Sequence, residues 1–356
     1  MKQQFLYITL LLMPMLFASC SEDSISEKDD AGEGNYMRLS TKSGEYSGSD
    51  APCFIFWKHS DFDAFSSGGT PTEPYVYSLP SGEIDDYKTT KYNTGEIYPP
   101  YAEPVYAVGI SPAEIPGANP GAWKTFDVPR SIAGLVDIQC APVIAGSEQA
   151  PFSDPLKFEH QLAKLEFKGY CGGSMSVDDD GDGDVDKIIN VEDVTITVSS
   201  DVDGQHQWFP EKLTWAHGGI GVGQYKVSGY GSPPPEITAQ VSLSNPPPGI
   251  IISGEDDTNE STSKHIGDFY LVPGFGKITV KVAATYIDST EDDTALPPGN
   301  GQEIKRVWEE MTIENIHSND GEPTEAGTSY TIYLKFERSK IVLGVTLKDW
   351  GDDVEN

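Results

Sequence analysis

The amino-acid sequence predicts an all-β protein, and three observations lead to that prediction. The 356 residues include 36 glycines and 26 prolines, which interrupt long helices and favour turns. Short segments rich in β-branched and aromatic residues recur between these turns. In the second half of the chain, apolar and polar residues alternate with a period of two, which is typical of strands with one buried and one solvated face.

Charge restricts the classes of partner. Lys and Arg total 24 against 56 Asp and Glu, so the formal net charge is −32. A polyanion repels phosphate backbones, and we therefore expect no nucleic-acid partner. It also repels an anionic membrane surface unless a covalent anchor holds it there. Hydrophobic residues make up 37% and aromatic residues 10% of the chain, which favours a folded protein over a disordered one.

The N-terminus predicts export and lipidation. Residues 5–17 form an apolar run that is too short to span a bilayer and is typical of a secretory signal peptide. The run ends in Leu16-Phe17-Ala18-Ser19-Cys20, which resembles a bacterial lipobox with Cys20 as the lipidated first residue. We expect a signal peptide at residues 1–19 and a lipidated acidic linker at residues 20–34. The alternative is a plain signal peptide in which Cys20 has no such role.

The linker and the acyl chains together predict a location. Several acyl chains on Cys20 would anchor the protein stably to the outer membrane. The acidic residues that follow resemble the export signal of surface lipoproteins in Bacteroidetes, although a solvated tether would have the same composition. We expect a lipoprotein exposed on the cell surface.

Four cysteines limit the disulfides that can form. With Cys20 acylated, Cys53, Cys140 and Cys171 remain, which allows at most one intramolecular bridge in three alternative pairings. The sequence does not choose among them.

The first half of the chain carries short predicted strands. They comprise Phe54-Ile55-Phe56-Trp57, Tyr75-Val76-Tyr77 and Val105-Tyr106-Ala107-Val108. Close spacing with turns between them favours a sandwich or barrel. The segment Pro151-Phe152-Ser153-Asp154-Pro155 then indicates a domain boundary.

The second half shows cleaner alternation. Apolar residues of one parity occur at Val194, Ile196 and Val198, at Ile237, Ala239, Val241 and Leu243, and at Ile278, Val280, Val282 and Ala284. A closing β-hairpin is predicted from Tyr330, Ile332, Leu334 and Phe336, a turn at residues 337–340, and Ile341, Leu343, Val345 and Leu347.

The segment between the two halves changes parity. Leu156, Phe158, His160 and Leu162 alternate, and the apolar positions continue from Ala163 in the opposite parity. This predicts a β-bulge near Ala163. His160 falls on the apolar face, where a buried, hydrogen-bonded histidine is the favoured interpretation over a ligand.

The run Phe158-Glu159-His160-Gln161-Leu162-Ala163-Lys164-Leu165 resembles a recurring strand of the fimbrillin-like family, the subunits and accessory proteins of type V pili in Bacteroidetes. Residues 327–334 and the closing Val345-Thr346-Leu347-Lys348-Asp349-Trp350 are similar to the C-terminal signature of that family. With the lipobox, the resemblance extends over the whole chain. Its motifs are structural and degenerate, so they indicate the family better than a role within it.

This resemblance implies two transthyretin-like β-sandwich domains, at residues 35–150 and 151–356. It also implies proteolytic cleavage after an arginine near the mature N-terminus, for which Arg38 is the candidate. Cleavage would remove the first strand, and a strand from another pilus subunit would fill the groove by β-augmentation. The terminal hairpin is either the donor or, as we expect, the last two strands of its own sandwich.

An acidic segment predicts a structural calcium ion. Residues 178–189 place Asp178, Asp180 and Asp182 at positions 1, 3 and 5 of a twelve-residue calcium loop, with Gly183 at position 6. Asp184 and Asp186 add two further carboxylates. Position 12 departs from the pattern, because Ile189 stands where a bidentate Glu belongs and Glu192 or Asp193 would have to substitute. A solvated acidic loop is the alternative.

Catalysis receives little support. His59, His206, His217, His265 and His317 are interpreted as lying in polar, loop-like stretches without metal-ligand spacing, and no nucleophile elbow or P-loop occurs. We expect a non-enzymatic pilus subunit or accessory adhesin that contacts other subunits and host or bacterial receptors. The alternative is a glycan-binding lipoprotein of a polysaccharide-uptake system, whose sugar platforms would draw on Trp57, Tyr75, Tyr77, Trp208, Trp215 and Tyr225.

Overall fold

The structure is a computed structural model of the whole chain, and it describes most of the chain from Tyr36 to Asp349. The described ranges are 36–39, 41–42, 53–58, 75–78, 92–100, 103–115, 125–153, 156–178, 181–183, 185, 187–199, 208–216, 224–229, 238–242, 251–290, 302–314, 316 and 324–349. The predictions for the signal peptide, for Cys20 and for the acidic linker lie outside these residues.

The predicted fold class is confirmed, because the described residues are nearly all in strands or turns. The strands are β1 (Tyr36–Leu39), β2 (Thr41–Lys42), β3 (Cys53–Lys58), β4 (Tyr75–Ser78), β5 (Tyr92–Ile97), β6 (Val105–Ser111), β7 (Thr125–Asp127), β8 (Gln139–Gly146), β9 (Leu156–Lys157), β10 (Glu159–His160), β11 (Ala163–Cys171), β12 (Ser176–Val177), β13 (Lys187–Ser199), β14 (Pro210–Ala216), β15 (Gln224–Gly229), β16 (Thr238–Ser242), β17 (Lys264–Leu271), β18 (Lys277–Thr290), β19 (Gln302–Glu314), β20 (Thr328–Glu337) and β21 (Lys340–Asp349). Single 3₁₀ turns occur at Gly173–Met175 and Glu260–Thr262. Among the described residues, no helix has the length and hydrophobicity to cross a bilayer.

The C-terminal part of the chain forms a β-sandwich. One sheet has the order β17-β11-β20-β21, and the other has the order β12-β13-β18-β19 with β16 also paired to β13. β11 runs antiparallel to β17 and parallel to β20. The apolar faces of both sheets meet in one continuous cluster of buried side chains, so this part has a single core.

The predicted alternation explains how the strands of this sandwich face the core. Val194, Ile196 and Val198 are at most 1% exposed. The same holds for Ile278, Val280, Val282 and Ala284, and for Tyr330, Ile332, Leu334 and Phe336. The predicted hairpin is also present, with Glu337 and Lys340 paired across a two-residue turn.

The N-terminal part is built around a five-stranded sheet with the order β10-β8-β6-β3-β4. All seven residues of its central strand β6 are buried, so both faces of the sheet are covered. One face contributes to a cluster that includes Phe126 of β7 and Leu213 of β14. The other face contributes to a second cluster that includes Met37 of β1 and Leu156 of β9. The core of this part is therefore divided in two by the sheet itself.

The chain passes from one sheet to another where a β-bulge was expected. β9 pairs with β2 and β10 pairs with β8, whereas β11 belongs to the C-terminal sandwich. Gln161 donates its backbone N–H to Ile138, and Leu162 accepts from Gly327. The prediction of a bulge near Ala163 is wrong, because the parity changes at a crossover between two sheets. The division into domains at residues 35–150 and 151–356 stays a prediction.

Candidate functional site

The N-terminal strand β1 is the part of the described chain that bears most directly on assembly. It pairs antiparallel with β5, with Arg38 opposite Asn93 and Leu39 opposite Tyr92. The register shifts between Tyr36 and Arg38, so the pairing is irregular within four residues. β2 follows at once and pairs with β9 in the parallel sense. The first described residues are thus held by two short ladders on two different strands.

Met37 is the side chain that β1 contributes to the core. It is 5% exposed and packs in the cluster on the β1 side of the five-stranded sheet. The other members of this cluster are Phe54, Phe56, Tyr98, Val105, Ala107, Ala141, Phe152, Leu156 and Phe158. Complete burial of a methionine side chain is worth about 1.5–3 kcal/mol, so Met37 stabilises the docking of β1 by about that amount.

Aromatic rings line the groove that Met37 occupies. The ring centroids of Tyr98 and Phe152 are 5.7 Å apart, and those of Phe56 and Phe152 are 6.3 Å apart. The hydroxyl of Tyr98 accepts a hydrogen bond of 2.9 Å from the backbone N–H of Phe152. Burial raises the pKa of Tyr98, so this hydroxyl stays neutral at physiological pH. The groove is therefore an apolar surface with its polar atom already satisfied.

Two aromatic rings of this cluster approach the backbone of the sheet closely. A Cβ atom at Gly109 would lie 2.3 Å from the ring of Phe158, and one at Gly146 would lie 2.8 Å from the ring of Phe152. Only glycine leaves room for the rings at these two positions. The sheet therefore fixes how deeply the two rings sit.

The position of Arg38 determines what cleavage there would do. Its backbone lies inside β1, and its side chain lies outside the described residues. A protease could cut the bond after Arg38 only when β1 has left β5, which is a local opening of the fold. The cut would remove Met37 from the groove and would leave β5 without the partner it has in the described structure.

The terminal hairpin lies in its own sandwich. β20 is hydrogen-bonded to β11 on one side and to β21 on the other, and Leu334 and Phe336 are fully buried. Withdrawing this hairpin would open the C-terminal core. The expectation that the hairpin forms the last two strands of its own domain agrees with this arrangement.

The acidic loop is described at only part of its length. Asp178 accepts backbone N–H bonds from Gly181 at 2.6 Å and from Gly183 at 3.0 Å. The φ angles of these glycines are +81° and +99°, which explains why glycine is needed there. Asp182 is exposed. Asp180, Asp184 and Asp186 lie outside the described residues, so the predicted ligand set is not tested.

Position 12 of the calcium pattern falls in a strand. β13 begins at Lys187, and Ile189 is 3% exposed in the C-terminal core. Glu192 lies five residues along the same extended strand from Lys187, a distance of about 16 Å at 3.3 Å per residue. Glu192 is therefore too far away to replace the missing ligand, and a bound ion would depend on residues 178–186.

The three cysteines of the folded region are free and buried. Cys53 and Cys140 both oppose Ile110, from the two strands on either side of β6. Two strand spacings separate them by about 10 Å, beyond the 7 Å limit for a disulfide. Cys171 lies in the C-terminal core. None of the three possible pairings occurs in the structure.

Of the six aromatic residues named for the glycan-binding alternative, only Trp208 has a side chain that the structure describes. Trp208 is half-buried, packs against the C-terminal core and lies 6.0 Å from the ring of Phe275. The side chains of the other five aromatic residues lie outside the described residues.

The interpretation of His160 as a buried, hydrogen-bonded histidine is correct for the hydrogen bond and wrong for full burial. Its Nδ1 lies 2.7 Å from Oδ2 of Asp137, and its side chain is 28% exposed. Gln139 donates to the same carboxylate oxygen at 2.7 Å. The pair joins the strand before the crossover to the loop ahead of β8, which is a structural role.

His265 is placed differently from the sequence-based interpretation. It lies in β17, where a loop had been expected, and its Nε2 is 2.9 Å from Oδ1 of Asp268. Glu166 on the neighbouring strand completes a cluster whose three ligand atoms lie within 4.8 Å of one another. The alternation of Ile266, Phe269 and Leu271 is broken by one residue, which hid this strand in the sequence.

The fold and the candidate site define an all-β protein with an N-terminal strand seated in an aromatic groove. No family model and no curated protein matches the chain. Solved structures of Bacteroidetes proteins match the chain. A candidate cell adhesion protein from Bacteroides ovatus has 14% identity and a TM-score of 0.43, with 90% of this chain and 97% of that chain covered.

Two further structures come from proteins of fimbriae. A fimbrial protein from Bacteroides vulgatus has 11% identity and a TM-score of 0.39, with coverage of 88% and 99%. The tip fimbrial protein Mfa3 from Porphyromonas gingivalis has 10% identity and a TM-score of 0.37, with the same coverage.

Proposed function

We propose that this chain is a cell-surface lipoprotein that serves as a fimbrial subunit or accessory adhesin, and that it assembles by β-strand donation without enzymatic activity. The observation that carries the proposal is the arrangement of β1. A four-residue strand with an irregular register places Met37 in an aromatic cluster of the core.

Strand donation fits the physical properties of this groove. Main-chain hydrogen bonds to β5 would supply affinity, and an apolar side chain in the place of Met37 would fix the register. Phe152 and Phe158 of the groove are seated against Gly146 and Gly109 of the sheet, so part of its lining is held by contacts that do not involve β1. A donated strand with apolar side chains at alternate positions would bury them against these rings.

Processing at Arg38 supplies the step that makes exchange irreversible. While the chain is intact, β1 competes for the groove at the high effective concentration of a tethered segment. Cleavage after Arg38 separates residues 36–38 from the folded part, so they stay with the lipid-anchored fragment and no longer compete for the groove as a tethered segment. The donor is a strand of another subunit, because the terminal hairpin is committed to its own core.

The lipid on Cys20 would hold the unprocessed protein at the outer membrane, exposed to the cell surface. Cleavage after Arg38 would release the folded part from that anchor, since the linker precedes β1. Location and assembly are thus coupled through a single peptide bond.

We further propose that residues 178–186 bind a structural Ca²⁺. Asp178 is already turned inward by two backbone N–H groups, as a first ligand of such a loop requires. Removal of Ca²⁺ by a chelator should lower Tm, and an Asp178→Asn variant should lose that response. An unchanged Tm at every calcium level would contradict the site.

The experiment that tests assembly compares Arg38→Gln with the wild type in the native cells. Intact mass and N-terminal sequencing of the sheared protein, with an unboiled SDS gel, report processing and polymerisation together. We expect the wild type to begin at Leu39 and to form a high-mass ladder, and the variant to stay monomeric with Cys20 at its N-terminus. Arg130→Gln, at an exposed arginine, is the matched control.

The contrary outcome is equally clear. A wild-type chain that begins at acylated Cys20 and runs as a monomer would contradict processing and strand donation. It would leave a membrane-anchored protein that acts as a single copy.

A further inference from the structure

A second cluster of reactive side chains lies on the outer face of the sheet β17-β11-β20-β21. Glu166 of β11 points away from the core, since its neighbours Leu165 and Phe167 are fully buried. One ligand atom each from Glu166, His265 and Asp268 lies within 4.8 Å of the others. The cluster belongs to the C-terminal sandwich and is separate from the strand groove in its residues.

A β-bulge brings the histidine to this face. Phe167 pairs with Gly267, whereas the next residue, Lys168, pairs with His265, so Ile266 is the extra residue on β17. Residues three apart in a regular strand point to opposite faces. The extra residue restores the imidazole to the face of the two carboxylates, which is a recognised use of bulges.

The charges of the cluster balance without the histidine. Glu166 and Asp268 are direct cross-strand partners, an arrangement of like charges that is unfavourable by itself. Nζ of Lys168 lies 3.0 Å from Oε2 of Glu166, and Nζ of Lys164 lies 3.1 Å from Oδ2 of Asp268. Two ammonium groups therefore neutralise the two carboxylates. His265 is therefore not needed to balance the charges of the two carboxylates, yet the β-bulge in β17 brings it to their face.

We propose that Glu166, His265 and Asp268 bind Zn²⁺. One imidazole nitrogen and two carboxylate oxygens form a set that suits this ion, and three protein ligands leave a fourth position for water or a substrate group. Tetrahedral zinc holds its ligand atoms about 3.4 Å apart. Nε2 of His265 and Oδ1 of Asp268, which are 2.9 Å apart, therefore need to separate slightly, and the ligand atom of Glu166 needs to approach by no more than about 1.4 Å. The side chain of His265 is 51% exposed, which gives the ion a path of entry.

The neighbouring polar groups prepare the site. Thr331 donates its hydroxyl to Oε2 of Glu166 at 2.9 Å and so orients that carboxylate. Lys164 and Lys168 occupy the carboxylates in the absence of the metal and withdraw towards solvent when it binds. Both lysine side chains reach solvent, with exposures of 19% and 28%. They weaken zinc binding by competition but keep the empty face stable.

Zinc titration of the full-length protein, made without a histidine tag, tests the proposal. Saturating Ca²⁺ is present to occupy the acidic loop, and a chromophoric chelator reports free Zn²⁺. We expect one site in the wild type, weakened at least about tenfold in His265→Gln and in Glu166→Gln. Glu310→Gln, which removes an exposed carboxylate of another ion pair, should bind as the wild type does.

Two further measurements distinguish a metal site from a network of ion pairs. Lys168→Gln should bind Zn²⁺ more tightly than the wild type, because a competing cation is gone. Co²⁺ should give the absorption bands of a tetrahedral site in the wild type and not in His265→Gln. Matching circular dichroism in EDTA verifies that each variant is folded. Absence of zinc binding in the wild type, or equal binding in the ligand variants, would overturn the proposal.

Discussion

The two parts of the molecule bury their apolar side chains in different ways. In the C-terminal sandwich, β13 and β18 run for 13 and 14 residues and face a single core. In the N-terminal part, a central sheet divides the core into two smaller clusters, and one of these includes Met37 of the four-residue strand β1. A long strand buries many side chains at once, whereas a four-residue strand has few to bury.

This difference shows how one chain can combine a stable C-terminal core with an N-terminal strand that can be exchanged. Displacing β20 would expose Tyr330, Ile332, Leu334 and Phe336 together, so that strand is bound to the global stability of the sandwich. Displacing β1 exposes Met37 and breaks the β1–β5 ladder, and it leaves the strand pairs of the five-stranded sheet in place. Opening of β1 is therefore expected at a much smaller free energy than unfolding.

The largest effect is expected in the C-terminal core. Phe336→Ala removes a fully buried ring and should lower the free energy of unfolding by about 3–5 kcal/mol. Urea unfolding followed by fluorescence measures the change. Val342→Ala on the neighbouring strand, where the side chain is 38% exposed, should change stability by less than about 0.5 kcal/mol. A similar loss in both variants would contradict the single tightly packed core.

A smaller and strictly local effect is expected at β1. Met37→Ala should favour opening of β1 by about 2 kcal/mol, or roughly thirtyfold in population. Hydrogen exchange at the amides of Leu39 and Asn93 measures it, and cleavage by trypsin after Arg38 should accelerate in parallel. Exchange at Ile332 in the C-terminal core should not change. Equal acceleration at both places would mean that β1 opens only with the whole protein.

The buried thiols of Cys53 and Cys171 report which of the two parts opens first. Burial raises the pKa of Cys53 and of Cys171 to about 12, so at pH 8 roughly one thiol in ten thousand is ionised in the native state. Labelling must therefore follow opening. We expect Cys53 to react before Cys171 with iodoacetamide, as read by peptide mass spectrometry. Simultaneous labelling would show that the two parts unfold as one unit, and labelling in urea gives the fully reactive reference.

The smallest effect concerns a carboxylate at the terminal hairpin. Hydrogen bonds from Lys335 and then Ser174 hold the pKa of Glu337 below its ordinary value. A lowered folded pKa gives stability that is present above the unfolded pKa of about 4.3 and is lost as the pH falls through the folded value. Glu337→Gln should lower Tm at pH 7, and the difference from wild type should shrink below pH 4.

The control for this acid titration is an exposed ion pair of the same composition. Nζ of Lys281 lies 3.2 Å from Oε2 of Glu310, and both side chains are more than half exposed. Glu310→Gln should leave Tm nearly unchanged throughout, because solvent screens such a pair. A pH-independent loss in Glu337→Gln would assign the effect to packing.

Much of the fold could be predicted because alternation is a local signal. Val194, Ile196 and Val198 report the buried face of their strand without knowledge of its partners, and the closing hairpin needs only the turn after Glu337. Which strands pair is a long-range property. The parity change near Ala163 therefore looked like a bulge, although the chain crosses there from one sheet to another.

The candidate sites show the same division. Arg38 could be named as the candidate cleavage position from the sequence alone. The aromatic groove around Met37 could not be predicted without the fold, since its rings come from residues 54–158. His265 was missed because the extra residue at Ile266 breaks the period that would have marked a strand. The acidic loop was visible as a pattern, but only the start of β13 shows that Ile189 faces the core.

The parallel pairing of β11 with β20 also sets an order of folding. Lys164 lies beside Ser329, and 165 residues of chain separate them. A chain delivered from its N-terminus can build the five-stranded sheet from residues 53–146 early, apart from the short β10. By contrast, β11 lacks one neighbour until β20 arrives, and closing so long a loop is slow. The C-terminal sandwich, with its single continuous core, is therefore completed last.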